Sequence, residues 1–211
     1  MNSLQVLNVS KSFGKQEVLK NINLTINGGT TIGLVGENGS GKTVLMKLMI
    51  GLMKPVCGKI IYNGAELKKD FDYLPSVGFI IEHPEFYDDL TAFENLELLA
   101  GIKKLINKNT IVEWIERVGL SNDRKPIENY SLGMKQRLGI AQAMMENPEV
   151  IILDEVTNSL DTEGVDLVHS LIKDEKDKKK IIVISSHSRY DIEKLCDEIY
   201  YFRNGGICRD V

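Results

Sequence analysis

The sequence predicts an α/β fold built on a largely parallel, buried sheet, and three observations predict it. Short strand-like runs recur at Thr31–Val35, residues 77–81, 150–153, Ile181–Ser185 and 198–202, and they lack the strict alternation of half-exposed strands. Helical patterns separate them, which favours crossover connections. A glycine-rich stretch falls between the first of these runs and a helical pattern.

Taken in order, residues 4–9 and 18–26 alternate as strands and meet around Gly14, which predicts an antiparallel β subdomain at the N-terminus. Residues 42–52 place Leu45, Leu48, Met49 and Leu52 on one helical face. From 84 to 148 the pattern is helical. Thr91-Ala92-Phe93-Glu94 has the form of a capping box and opens a helix carrying Leu96, Leu99 and Ile102. Thr110 to Glu113 repeats that form before Trp114, Ile115 and Val118. A third helix is expected from near Gly133 through Leu138, Ala141 and Met145, and a further one over 162–173. One domain is therefore expected over 1–211, with a core of 1–83 and 149–211 and an α-helical insertion at 84–148. No internal repeat interrupts it, and the mixed-sign run from Lys173 to Lys180 reads as a solvated helix end and turn.

The bulk composition narrows the function classes. The chain has 211 residues, 43% hydrophobic and 27% charged, with a formal net charge of −4. An acidic balance disfavours a dedicated nucleic-acid binder, whose phosphate contacts need a basic surface. Three widely spaced cysteines, Cys57, Cys196 and Cys208, suit neither a disulfide framework nor a metal site, and point to reduced thiols in a cytoplasm. No stretch approaches the ~20 apolar residues of a membrane-spanning helix, so a membrane role would come through a partner.

Gly36-Glu37-Asn38-Gly39-Ser40-Gly41-Lys42-Thr43 is a phosphate-binding loop in the strand-to-helix context the motif requires. Its glycines let backbone N–H groups turn inward, and the helix N-terminus adds positive potential. Lys42 is a mobile charge for the β- and γ-phosphates, and Thr43 offers a hydroxyl to Mg²⁺. The strand at 150–153 runs into Asp154 and Glu155. Asp154 is expected to hold Mg²⁺ with Thr43, and Glu155 to orient or deprotonate the attacking water. His187 follows another apolar strand at its carboxyl end, where parallel sheets gather ligands, and is expected to meet the γ-phosphate and to be a candidate proton carrier. His83 and His169 read as loop and helix-surface residues.

Over essentially its whole length the chain then resembles the nucleotide-binding subunit of ATP-binding-cassette (ABC) transporters. Tyr130-Ser131-Leu132-Gly133-Met134-Lys135-Gln136-Arg137 is similar to that family's signature, usually written LSGGQ, and no other P-loop class combines such a segment with a strand ending in Asp-Glu. Asn158-Ser159-Leu160-Asp161 resembles its D-loop, His187 its switch histidine, and Phe13 falls where the family stacks an aromatic ring on adenine. The resemblance implies an ABC ATPase core in which Phe13 and the segment from Gly36 to Val44 bind ATP. Two subunits would pack head to tail, so that Ser131, Leu132, Gly133 and Met134 of one face the ATP held by the other, with Asp161 at the junction. It further implies an integral-membrane permease docked on the helical insertion and a position on the inner face of the cell membrane.

Several positions depart from the family's commonest pattern. Glu82 stands where most members carry glutamine, Leu132 and Met134 replace a glycine and the glutamine of the signature, and Val156 replaces a proline. Glu82 and the segment from Tyr130 to Ala141 together resemble bacitracin- and lantibiotic-type self-protection transporters. Glutamate accepts but does not donate hydrogen bonds, and Glu82 is expected to contact the metal or its water only in the closed state and to link ATP to the permease. Leu132 stiffens the signature loop and is expected to slow turnover. A soluble ABC-type ATPase not coupled to transport is the alternative. One cassette without a charged linker argues against its ribosome-acting form, and the lack of a long coiled coil against its DNA-acting form. A non-hydrolysing regulator is disfavoured by the intact Asp154-Glu155 pair.

Overall fold

The computed structural model describes residues 2–209; Met1, Asp210 and Val211, the ends of the predicted 1–211 domain, lie outside them. Two sheets organise the chain. β1 (Ser3–Phe13) and β2 (Gln16–Asn27) form an antiparallel hairpin that continues through β4 (Cys57–Tyr62) and β5 (Ala65–Glu66), in the order β2-β1-β4-β5. Both hairpin strands run past their predicted bounds, through bulges between Val6 and Ser12. The polar residues at these positions hide the alternation in the sequence, and Asn8 and Asn21 sit in the left-handed region that asparagine tolerates.

The second sheet has the order β10-β9-β3-β8-β7-β6, from β3 (Thr31–Val35), β6 (Val77–Ile80), β7 (Val150–Asp154), β8 (Ile181–Ser185), β9 (Glu198–Arg203) and β10 (Gly206–Arg209). All its pairings are parallel except the β9–β10 hairpin. β7 and β8 are buried at every position, as unalternating apolar runs require. Their side chains still divide by face: Ile151, Leu153, Ile182 and Ile184 join the core under the helices, whereas Val150, Ile152, Ile181 and Val183 join the core beneath the antiparallel sheet and the first helix. Each such side chain stabilises the fold by about 1.5–3 kcal/mol on burial.

α1 (Lys42–Ile50) stops earlier than the periodicity suggests because Gly51 takes a left-handed C-cap at φ 88°. The helical segment contains α2 (Ala92–Lys103), α3 (Lys108–Arg117), a short 3-10 turn at Ile127–Asn129 and α4 (Leu132–Met144). The Thr91–Glu94 capping box forms as predicted, with both reciprocal hydrogen bonds present. The second box does not form. Asn107 caps α3 by accepting from the Thr110 N–H, so Thr110 lies inside the helix; asparagine three residues upstream offers the same acceptor one turn earlier. α5 (Thr162–Asp177) outruns its predicted end, and α6 (Arg189–Leu195) was not foreseen. The run from Lys173 to Lys180 is only partly solvated, since Glu175 and Lys180 are buried and ion-paired with each other.

Helix α4 lies directly on β6. A Cβ built on Gly78 would fall 1.6 Å from the Ala143 carbonyl oxygen, so only glycine permits this approach. The helical segment is thereby fixed to the strand that leads into Glu82.

Candidate nucleotide and hydrolysis site

Four adjacent parallel strands deliver the predicted site. In the order β3-β8-β7-β6, their carboxyl ends lead into the loop at Gly36, His187, Asp154 with Glu155, and Glu82. Register pairs Leu34 with Ser185, Asp154 with Ser185, and Ile80 with Leu153, so the strands finish nearly level and their next residues share one edge. Ligand sites of open parallel sheets gather on that edge.

The glycine loop turns through Gly39 (φ 77°) and Gly41 (φ 110°). Gly41 precedes α1 without any side-chain cap, leaving the first helical N–H groups to a ligand. Lys42 is buried, and its Nζ donates to the carbonyls of Gly36 (2.7 Å) and Glu37 (3.1 Å), spanning the loop. Val44 is half-buried in the first turn of α1. Gly41 also lies against Val18 and Leu19 of β2, close to the β1–β2 turn that carries Phe13. Phe13 is 47% exposed, and Lys11 Nζ stands over its ring, 5.3 Å from the centroid.

Thr43 Oγ1 donates to Asp154 Oδ2 at 2.6 Å, and Ser185 Oγ donates to Asp154 Oδ1. A hydroxyl and a carboxylate are the hard oxygen donors that suit Mg²⁺. Glu155 leaves β7 with φ 50°, a left-handed conformation that costs a non-glycine residue about 1–3 kcal/mol. The Ser185 carbonyl and hydroxyl both accept from its N–H at 3.1 Å. Its Oε1 stands 2.6 Å from His187 Nε2, and Asn158 Nδ2 donates to its Oε2 at 2.7 Å. Glu155 and His187 are only partly exposed, at 31% and 42%. Glu82 is likewise left-handed, at φ 65°. Its carboxylate points to Lys47 on α1 (2.6 Å) rather than to Thr43 or Asp154, and the Lys47 ammonium holds its pKa below the ordinary glutamate value.

A second cluster lies at the start of α4. Ser131 caps that helix, its Oγ accepting from Met134 N–H at 3.2 Å, and the hydroxyl proton is left to donate elsewhere. Leu132 is 58% exposed. Gly133 lets the helix approach the Ser159 carbonyl, 2.9 Å from where a Cβ would stand. Asp161 caps α5 by accepting from Gly164 N–H (2.9 Å) and also accepts from Arg137 of α4 (2.8 Å). The Gly164 amide and Arg137 together hold its carboxyl below the usual aspartate range. Ser131, Gly133, Arg137 and Asp161 edge a cleft of about 570 Å³.

Sequence reasoning missed the groups that hold these residues: Ser185 on Asp154, Asn158 on Glu155, Lys47 on Glu82. It also misplaced His169, which is buried rather than on a helix surface, its Nε2 2.8 Å from Asp191. The signal was faint: His169 occupies an apolar position of α5, beside Val168 and one turn before Ile172.

Fold and site together define a nucleotide-binding P-loop ATPase. The ABC transporter family pattern matches residues 19–158. The chain is 38% identical to the lantibiotic transport ATP-binding protein SrtF of Streptococcus pyogenes over 97% of its length and 88% of that protein's. It is 40% identical to the bacitracin transport ATP-binding protein BcrA of Enterococcus faecalis over 99% of its own length and 68% of that protein's. A solved structure described as the ATP-binding subunit of an ABC transporter superposes with a TM-score of 0.89 at 28% identity, covering 99% of this chain and 89% of that one. The chain belongs to the ABC transporter family, as an ATP-hydrolysing subunit. The alternative of an ATPase uncoupled from transport is not favoured. No helix among the described residues is long and apolar enough to cross a membrane.

Proposed function

We propose that this chain powers export of, or immunity to, a peptide antibiotic, working as a head-to-tail pair of ATPase subunits on the inner face of the cell membrane beneath an integral-membrane permease. The observation that carries the transport reading is similarity to SrtF and BcrA over nearly the whole chain. The helical segment at 84–148 supports a docked partner, since Tyr87, Leu98, Ile102 and Leu105 are all at least half exposed there. Apolar exposure grouped on one subdomain marks an interaction surface.

In this reading ATP stacks on Phe13 and its phosphates lie in the loop from Gly36 to Val44. Lys42 moves from its backbone partners to the phosphates, and the α1 N–H groups complete the cradle. Thr43 and Asp154 would hold Mg²⁺, which when bound neutralises charge on the β- and γ-phosphates. Glu155 accepts the proton of the attacking water, while His187 orients Glu155 and meets the γ-phosphate. The site is completed by Ser131, Gly133 and the start of α4 from the second subunit, with Leu132 and Met134 beside them. The docked permease feels closure through the loop at Glu82 and the helical segment fixed to β6.

The test is isolation of the chain from membranes of the cells that make it. Recovery with a multi-helix membrane protein, and ATP-dependent protection of those cells from a lantibiotic or bacitracin, is expected. Recovery only from the soluble fraction, with unchanged peptide sensitivity after deletion, overturns the proposal.

A further inference from the structure

Asp191, at the start of α6, is almost fully buried and accepts from three side chains on three separate segments. His169 Nε2 lies 2.8 Å from its Oδ1, while Thr157 Oγ1 (2.7 Å) and Ser186 Oγ (3.0 Å) donate to its Oδ2. All four residues are 9% exposed or less. A carboxylate only accepts, so Nε2 carries the imidazole proton. The ring's other nitrogen, Nδ1, is buried without a hydrogen-bond partner among the described residues. The cluster is therefore asymmetric, with every donor converging on one carboxylate.

Its sequence positions give the arrangement a consequence. Thr157 stands two residues after Glu155, and Ser186 immediately precedes His187. A single carboxylate oxygen ties both segments, and those segments present the two side chains that meet at 2.6 Å. Ser186 also accepts from Ser188 N–H, and Ser188 caps α6. On the other side, His169 sits on α5, the helix capped by Asp161. Fixed hydrogen-bonded supports of this kind decide whether a reacting pair keeps its geometry, and a displacement of about 1 Å can cost ~10²-fold in rate.

We propose that Asp191, held by His169, is a positioning residue for hydrolysis: it sets the separation of Glu155 and His187 through Thr157 and Ser186. Its carboxylate is buried and taken up by protein side chains, so it acts through them. Through His169 it also joins that pair to α5, so the helix begun at Asp161 bears on the geometry of hydrolysis. The inference rests on the reading of Glu155 as the proton acceptor, which Glu155→Gln tests by itself.

The experiment measures steady-state hydrolysis by purified Asp191→Asn, Thr157→Val and Ser186→Ala proteins. kcat is normalised to the number of sites that bind a fluorescent ATP analogue, so that unfolded protein does not count. Asp191→Asn is expected to lower kcat per site by about tenfold or more, with KM and analogue affinity within ~2-fold. Each hydroxyl variant lowers kcat by a smaller factor, and Asp191→Asn added to the Thr157→Val, Ser186→Ala pair changes little further. In a Glu155→Gln background Asp191→Asn is without effect on the residual rate. Wild-type kcat per site in all three variants overturns the proposal, as does a fall matched by lost analogue affinity or an undiminished effect in the Glu155→Gln background. If Asp191→Asn does not fold, the two hydroxyl variants decide the matter on the same criteria. A Glu155→Gln protein with wild-type turnover would instead remove the underlying reading.

Discussion

Glu155 and His187 meet through a 2.6 Å contact between Oε1 and Nε2, at the ends of two neighbouring buried strands. The contact is partly open to solvent, at 31% and 42% exposure, but it is held by more than charge. Asn158 donates to the second carboxylate oxygen, and the Glu155 backbone is held in a left-handed turn by Ser185. A side chain fixed at both oxygens and strained in its backbone is preorganised, and such strain concentrates at functional positions.

The first prediction concerns that side chain. Glu155→Gln keeps the size of the group and its acceptor oxygen but removes the basic site. Hydrolysis is expected to fall by about 10²- to 10⁴-fold, the usual contribution of a positioned base, with ATP affinity preserved. Because binding would then outlast turnover, gel filtration with saturating MgATP is expected to show a dimer for this variant. Wild-type turnover would remove Glu155 from its assigned role, and a monomer at high protein concentration would count against the paired site.

A second prediction tests the link between α4 and the main sheet. In Gly78→Ala the new methyl falls 1.6 Å from the Ala143 carbonyl, a contact that backbone movement must relieve. The unfolding free energy is expected to drop by about 1–3 kcal/mol, as overpacked cores do, read from urea midpoints. Gly101, with nothing near its Cβ, is the control: Gly101→Ala lies in α2 and should stabilise by up to ~1 kcal/mol.

The sheet and the loop were legible because their signals are local. β7 and β8 are apolar runs ended by Asp154 and Ser185, and the glycine loop carries its own spacing. The capping box at Thr91 was legible for the same reason. β4 and β10 were not, because Cys57-Gly58-Lys59 and Ile207-Cys208-Arg209 carry no pattern and gain their strand form from β1 and β9. The candidate site residues could be chosen from motifs, and the structure brings Thr43, Asp154, Glu155 and His187 to one edge of the sheet. Their supports could not be chosen so, since Lys47, Ser185 and Asp191 are ordinary polar residues whose importance lies in contacts across the fold. His169 illustrates the limit: a histidine among apolar helical positions gave no sign of the carboxylate that would meet it.

A third prediction follows from Asp161. Its carboxyl is held below the ordinary aspartate range by the Gly164 N–H and Arg137. A carboxylate with a depressed folded-state pKa contributes stability that is complete above its unfolded value, about 3.9, and is lost as pH falls through the folded value. Asp161→Asn should therefore lower the urea midpoint at pH 7 and leave it closer to wild type in strongly acidic solution. A gap between the two proteins that widens as the pH falls would contradict this cause.

The last prediction concerns Glu82 and Lys47. Their 2.6 Å ion pair is largely open to solvent on the glutamate side, at 65% exposure, so solvent screening leaves it little weight in stability. Its value is in where it leaves the glutamate. Near a γ-phosphate Glu82 would add repulsion unless a cation stood between them, and Lys47 holds the carboxylate away from Thr43 and Asp154. Reaching the metal or its water would require the carboxylate to leave Lys47. Glu82→Ala is expected to keep the urea midpoint near wild type while lowering ATP turnover and peptide protection together by about 2- to 30-fold, the effect of a 0.5–2 kcal/mol change in coupling. Lys47→Met, which frees the glutamate, is expected to preserve protection better than Glu82→Ala does. If Glu82→Ala leaves hydrolysis and protection at wild-type levels, Glu82 does not have the role proposed for it.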